Sequence, residues 1–356
     1  MNIDHFDYHL PDNLIAQYPA EPRDSSRLMV IGRTSKKIEH RRFWDVKEYL
    51  KEDDLLVFND TRVINARLHG FFSDALESKL EILLTERTSA LEWKIICKPA
   101  KKFKIGVKIE LIGQNSRIKG VVNKIYEDEY RGIEFNKELN LKLDGLLPLP
   151  PYIKKPLDDY EKYQTVYSRT LGSIAAPTAG LHFTNDLMAE ILSKRIQMVY
   201  LTLNIGPGTF KPVRVKQLDQ HKMYYEKYSI ENSTLKAIIS AKDQGKRIVC
   251  VGTTTVRVLE HLAVSRELEP NNELPMNGVL DGQTNLFIYP GYKFQLVDAL
   301  ITNFHLPRST LLMLVSAFAE QVCEKNDGIE LIKESYRKAV EMNYRFYSFG
   351  DAMLII

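Results

Sequence analysis

Cysteine is scarce in this chain: Cys97, Cys250 and Cys323 are the only three in 356 residues, far apart and with no Cys-x-x-Cys pair. An odd count without paired spacing implies neither a disulfide framework nor a cysteine-rich zinc site. Long apolar runs are also missing. The longest, Leu311–Ala319, has about half the ~18 residues a membrane span needs, and it contains Ser316. Met1-Asn2-Ile3-Asp4-His5 lacks the basic-then-apolar pattern of a secretory signal. No excess of either charge stands out, since 49 basic against 46 acidic residues leave +3, a sum that neither predicts nor excludes a nucleic-acid partner. These absences argue against secreted, membrane, disordered and fibrous classes. With 44% hydrophobic residues, and at roughly 150 residues per domain, a cytoplasmic protein of about two domains is expected.

Familiar chemical signatures are absent too. Gly206-x-Gly208 has Lys211 where a dinucleotide fingerprint needs glycine, and no GxxxxGK[ST] occurs. No HExxH or clustered His/Cys spacing points to a metal, so none is expected. No GxSxG elbow points to a hydrolase triad.

What is present is local. Nine basic residues lie between Lys94 and Lys124, including Lys98, Lys101, Lys102 and Lys104, against Glu110 alone. Five more lie between Arg33 and Arg42 against Glu39. Residues 66–149 carry fifteen basic and twelve acidic side chains, so the whole-chain excess resides there. Such a run is either a solvated face or a phosphate-binding stripe. In the same segment short alternating stretches (79–84, 93–97, 107–112, 117–122) are punctuated by Gly106, Gly113, Gly120 and Gly132, the pattern of a small all-β barrel or sandwich. Pro148-Leu149-Pro150-Pro151 closes it.

Beyond the prolines helix and strand patterns alternate. Helices are expected over 185–194 with Thr184 as N-cap, 234–242 with Gly245 at the end, 255–263, 310–323 and 329–342. Strands are expected over 198–205, 247–251, 286–289 and 297–302, and Leu55-Leu56-Val57-Phe58 joins the same sheet. The expected fold class is therefore α/β: a layered α/β main domain (1–65 and 150–356) with a largely parallel sheet and an inserted small all-β barrel domain (66–149).

Ligands in open α/β sheets collect at the carboxyl ends of strands. The polar strand-end loops here are Asn59-Asp60-Thr61-Arg62, Gly206-Pro207-Gly208-Thr209-Phe210, Gly252-Thr253-Thr254-Thr255 with Arg257 beyond, Pro290-Gly291-Tyr292 and Asn303-Phe304-His305. A sixth loop, Pro177-Thr178-Ala179-Gly180-Leu181-His182-Phe183, precedes a helix. A glycine-threonine loop opening a helix can hold an anion through free amides. The titratable candidates are Asp60, His182, His221, Glu226 and His305. Histidines beside Phe183 and Phe304 are read either as hydrogen-bonded core residues or as catalysts.

These loops, together with Phe6-Asp7-Tyr8-His9-Leu10-Pro11, Lys98-Pro99-Ala100-Lys101-Lys102, Leu147-Pro148-Leu149-Pro150-Pro151-Tyr152 and Tyr163-Gln164-Thr165-Val166-Tyr167, resemble the S-adenosylmethionine:tRNA ribosyltransferase-isomerase family of queuosine biosynthesis. The matches run in order along nearly the whole chain. The resemblance implies transfer and isomerisation of the ribosyl group of S-adenosylmethionine onto 7-aminomethyl-7-deazaguanine at the tRNA wobble position. Epoxyqueuosine-tRNA, adenine and methionine are the implied products. S-adenosylmethionine is the cosubstrate and tRNA the partner, with no obligate protein partner implied.

By the same resemblance Pro177, Thr178, Gly180, His182 and Phe183 line the cosubstrate pocket. Gly206, Gly208, Thr209 and Phe210 belong to cosubstrate binding, as do Gly252, Thr253, Thr254 and Arg257, which would hold the methionine carboxylate. Asp60 and Arg62 would fix ribose or the incoming base, and Lys98, Lys101, Lys102 and Lys104 would meet tRNA. The chain departs from the family at two points: Asn204 stands where histidine precedes the Gly-x-Gly-Thr-Phe loop, and His221-Lys222-Met223-Tyr224-Tyr225-Glu226 has Tyr224 in place of a second histidine. A tRNA-binding protein without catalysis and a methyltransferase are the alternatives.

Overall fold

The computed structural model describes residues 1–113, 117–126, 129–210, 213, 215–265, 278–320 and 327–356. They form two compact units: Met1–Arg62 with Pro151–Thr170 and Ala176–Ile356, and Val63–Pro150 with Leu171–Ala175.

In the first unit, nine strands make one sheet in the order Val279–Thr284, Glu226–Glu231, Gln197–Leu203, Leu55–Asn59, Ile248–Val251, Ala299–Asn303, Ala352–Ile355, Arg27–Ile31 and Ile38–Arg42. Leu55–Asn59, Ile248–Val251 and Ala299–Asn303 are buried at every position, as strands covered on both faces must be. These three and Gln197–Leu203 run parallel, so their carboxyl ends share one edge.

The largely parallel sheet read from the sequence holds only for this central block and for the pairing of Arg27–Ile31 with Ala352–Ile355. The remaining pairings are antiparallel. A parallel neighbour needs a crossover of a dozen or more residues, whereas the short link from Ile31 to Ile38 suits an antiparallel return.

A second correction concerns Leu286–Tyr289, which joins no ladder. The strand lies at Val279–Thr284 instead, paired with Glu226–Glu231. The apolar run is stopped by Pro290, and the Leu286 carbonyl accepts Arg257 Nε–H at 3.1 Å.

Helices form where caps and periodicity place them. The Thr184 hydroxyl accepts the Leu187 N–H at 3.1 Å, opening Asn185–Ser193. Gly245, at φ +64, closes Asn232–Asp243 in the left-handed region. Gly252 turns at φ +93 into a helix over Thr253–Val264, two residues earlier than expected. Thr310–Glu320 is helical and largely buried; Cys323 lies outside the described residues.

The second unit is a closed six-stranded barrel built from Arg67–Phe72, Ala75–Arg87, Glu92–Lys98, Lys108–Ile112, Arg117–Ile125 and Tyr130–Phe135. Along Arg117–Ile125 the side chains of Ile118 and Val122 face the core between exposed neighbours, the period-2 pattern that the sequence displayed. The first and last strands were not legible, because glycines break their alternation. Gly70 is there for close approach: a Cβ would lie 2.1 Å from the Glu110 carbonyl oxygen. Cys97 in the barrel and Cys250 in the sheet are buried and free. Burial pushes the Cys97 thiol up to about 11 and raises that of Cys250 as well, so both behave as inert core residues.

Candidate active site

The carboxyl edge of the central strands is tied together by a buried amide. Asn59 Oδ1 accepts the N–H groups of Leu203 (3.0 Å) and Thr61 (3.2 Å). Its Nδ2 donates to the Leu203 carbonyl (3.0 Å) and Thr254 Oγ1 (3.3 Å). One side chain thus fixes two strand ends to the first turn of Thr253–Val264. The sequence had placed Asn59 in a loop motif without assigning it a role.

Asp60 follows, buried. Its Oδ1 accepts the Thr202 hydroxyl at 2.6 Å, and its Oδ2 accepts Arg169 Nε and Nη2 at 3.1 and 2.9 Å. The Arg169 side chain is 63% exposed and lies 4.9 Å over the Tyr200 ring. Sequence reasoning missed it, since a single arginine in a loop carries no signal. Arg62 donates to Ser168 Oγ at 2.9 Å and pairs with Glu161. Arg23 donates to the carbonyls of Gln164 and Glu161. The 161–169 loop is therefore held by arginines on both sides.

A second group surrounds His182. The Thr178 hydroxyl donates to Asn303 Oδ1 at 2.8 Å, which leaves Asn303 Nδ2 to donate to His182 Nε2 at 3.0 Å. The imidazole proton then sits on Nδ1 and goes to Ser26 Oγ at 2.8 Å. The ring stacks on Phe43 with centroids 4.9 Å apart. Burial lowers its pKa to about 3, so the imidazole is neutral with both nitrogens engaged.

His305 is placed similarly. Its Nε2 meets Thr302 Oγ1 at 2.9 Å, its backbone N–H donates to the Tyr336 hydroxyl oxygen, and burial lowers its pKa to about 3. Both are core histidines of the kind the sequence reading had set against catalysis.

Several expected pocket residues face protein. Gly180 is needed because a Cβ there would sit 1.8 Å from the Tyr167 hydroxyl oxygen. Phe183 packs between Phe43 and Phe58, and Phe304 against Tyr336, Tyr344 and Phe346. Pro177 is buried, and Thr178 is partly exposed.

The third group brings three expected residues into one network. The Gly206 N–H donates to Glu226 Oε1 at 2.9 Å, and Glu226 Oε2 pairs with Arg257 Nη1, both side chains being 6% exposed. Arg257 sits one helical turn beyond Thr254, so a single helix faces both Asn59 and Glu226. His221 packs edge-on against Phe287 at 5.2 Å. It is partly exposed, and burial lowers its pKa.

Gly208 lies under Tyr224, whose Cδ2 would be 2.6 Å from an added Cβ. Asn204 Oδ1 accepts the Thr61 hydroxyl at 2.8 Å. The two departures from the family pattern thus hold a loop and a strand end. Thr209 and Phe210 contribute the backbone of a turn over Pro207–Phe210; their side chains, and Lys211, lie outside the described residues. Gly252, Thr253 and Thr254 open their helix with no side-chain cap on its first amides. Lys98, Lys101, Lys102 and Lys104 belong to the barrel unit, where all four are exposed.

Among the described residues no three His, Cys, Asp or Glu side chains gather as a metal site. No described helix is long and apolar enough to cross a membrane.

A family profile described as queuosine biosynthesis protein matches residues 3–355. The chain is 48% identical over 362 residues to the S-adenosylmethionine:tRNA ribosyltransferase-isomerase of Acetivibrio thermocellus. It is 44% identical over 359 residues to the enzyme of that name from Staphylococcus saprophyticus, with 100% of both chains covered in each case. The crystal structure of S-adenosylmethionine tRNA ribosyltransferase from Thermotoga maritima is similar at 38% identity and a TM-score of 0.54, covering 99% of this chain and 100% of that one. On matches that span it almost from one end to the other, the chain belongs to the S-adenosylmethionine:tRNA ribosyltransferase-isomerase family of queuosine biosynthesis, and it is a transferase-isomerase.

Proposed function

We propose that this enzyme moves the ribosyl group of S-adenosylmethionine onto the aminomethyl nitrogen of 7-aminomethyl-7-deazaguanine at the tRNA wobble position, in the cytoplasm. The group is isomerised on the way, giving epoxyqueuosine-tRNA and releasing adenine and methionine. The sulfonium acidifies the ribose C5′ proton, so a base can generate a carbanion-like centre that helps expel adenine. The substrate's own amine is the nucleophile, and no covalent enzyme intermediate is required. The protein's task is positioning, proton transfer worth about 10²–10⁴-fold, and exclusion of water.

The observation that carries this reading is the convergence of the family's loop motifs, centred on Asn59 and Thr254, at one edge of four parallel strands. The uncapped first turn at Gly252, Thr253 and Thr254 suits a carboxylate. Asp60 and Arg62 would fix ribose or the incoming base. His221, partly exposed and with its pKa lowered by burial, is the group placed to move a proton. His182 ties Ser26 to Asn303, and His305 ties Thr302 to Tyr336.

Mass spectrometry of the small-molecule products tests this directly. With tRNA bearing the modified base, adenine and methionine are expected in equal amounts. S-adenosylhomocysteine in their place would mean methyl transfer and would overturn the reading.

The exposed lysines of the barrel supply the phosphate contacts in this proposal. Reversing Lys101, Lys102 and Lys104 to glutamate together should weaken tRNA binding. Each lost contact should also take about 0.7–0.9 from the slope of log affinity against log salt. S-adenosylmethionine affinity should stay unchanged. An unaltered slope returns the stripe to a solvated face.

A further inference from the structure

Arg257 is 5% exposed, and two of its three side-chain nitrogens are committed. Nη1 faces Glu226, and Nε donates to the Leu286 carbonyl. Nη2 is buried and has no hydrogen-bond partner among the described residues. Buried donors are nearly always paired, and a charged one is costlier still to leave unmade. The loop that shares Glu226 with Arg257 is open at Gly206. A Cβ added at Gly206 would meet nothing nearer than Glu226 Cγ and Oε1, both at 3.9 Å. Adjoining Leu286 is a row of partly exposed rings, with His221 against Phe287 at 5.2 Å and Phe287 against Tyr289 at 5.0 Å.

A fixed guanidinium donor beside aromatic rings suits a nucleobase that offers a carbonyl oxygen. Arginine to guanine O6 and N7 is the commonest specific base contact, and a 7-deaza base keeps the O6 carbonyl for a single donor, while rings supply a surface for the base plane. Adenine offers this donor only ring nitrogens and no carbonyl oxygen, and the uncapped amides at Gly252, Thr253 and Thr254 are the place proposed for the methionine carboxylate.

We propose that Arg257 Nη2 binds the carbonyl oxygen of the guanine-type wobble base, making Arg257 a specificity residue for the tRNA substrate. This rests on the reading of the enzyme as a tRNA ribosyltransferase-isomerase. Glu226 then has a positioning role, orienting the guanidinium and holding the Gly206 loop through the same carboxylate.

The test is a double-mutant cycle. Two anticodon stem-loop RNAs, one with guanine and one with carbonyl-free 2-aminopurine at the wobble position, are titrated into the wild-type enzyme and into Arg257→Lys, which keeps a cation opposite Glu226. Wild type should bind the guanine RNA at least about tenfold more tightly. Arg257→Lys should bind both RNAs alike, at the weaker level. Should Arg257→Lys not fold, the double variant Arg257→Met, Glu226→Gln removes both charges and is read in the same way. Equal wild-type affinity for the two RNAs, or undiminished discrimination in the variant, overturns the inference. So does a loss confined to S-adenosylmethionine affinity, which would put the ligand oxygen on the cosubstrate. A wild-type enzyme that binds no RNA yet releases adenine defeats the tRNA reading itself, a result distinct from failed discrimination.

Discussion

Glu260→Ala should lower the free energy of unfolding by about 4 kcal/mol or more. Glu260 is fully buried, on the helix that carries Thr254 and Arg257. Its Oε1 accepts the N–H groups of Leu296 and Val297 at 3.0 and 3.1 Å. Its Oε2 accepts the Gln295 N–H at 2.9 Å and the Tyr292 hydroxyl at 3.1 Å. Alanine strands all four donors, at about 1–3 kcal/mol for each one that water does not reach. Against a total stability of about 5–15 kcal/mol, that places the variant near its unfolding threshold. Glu260→Gln should lie between the two, because the amide keeps one acceptor oxygen but turns NH2 toward the other pair of donors. Denaturant titration checks both, and a loss under about 1 kcal/mol for alanine would mean that the 291–297 segment finds its hydrogen bonds elsewhere.

Acid should unfold the enzyme early, because two imidazoles are held neutral. His182 and His305 titrate near pH 6.5 in the unfolded chain, and burial lowers each to about 3 in the fold. Between those values the unfolded chain binds protons that the folded one refuses. Their contribution is therefore complete above pH 6.5 and is lost as pH falls toward 3. Each histidine should remove about 1.4 kcal/mol per pH unit in that window, or roughly 3 kcal/mol for both. Denaturation midpoints at pH 7, 6 and 5 give the slope, and His182→Asn should flatten it by about half. An unchanged slope in that variant would show that the imidazole is protonated in the fold. At neutral pH both rings are neutral and buried with Nε2 hydrogen-bonded inside the protein, and proton transfer is proposed for the partly exposed His221.

Much of this was legible because it is local. Apolar runs such as Ile248–Val251, the Thr184 cap and Gly245 announced their elements, and the loop motifs identified the family. What a strand pairs with was not legible. Val279–Thr284, interrupted by Asp281 and Gly282, looks too polar for a strand until Glu226–Glu231 is beside it. Gly180 read as a ligand contact because Tyr167, which fills its place, is thirteen positions earlier. Asn59, Ser26 and Asn303 carry the hydrogen bonds of the sheet edge, yet their partners lie far away in sequence. The pairing of Glu226 with Arg257 had no sequence signal either, although both residues were named.

The strand Ala352–Ile355 is seated between Ala299–Asn303 and Arg27–Ile31, with Leu28 in register with Ala352. Order of manufacture and order in the sheet therefore conflict. On the ribosome, the hairpin of residues 27–42 emerges first and waits for a neighbour that follows some three hundred residues later, about 15–60 s at ~5–20 residues per second. Throughout that interval the apolar strand Arg27–Ile31 presents an unpaired edge, the surface on which nascent chains aggregate. Slow closure over so long a loop leaves this half of the sheet to be completed only once the last strand is made.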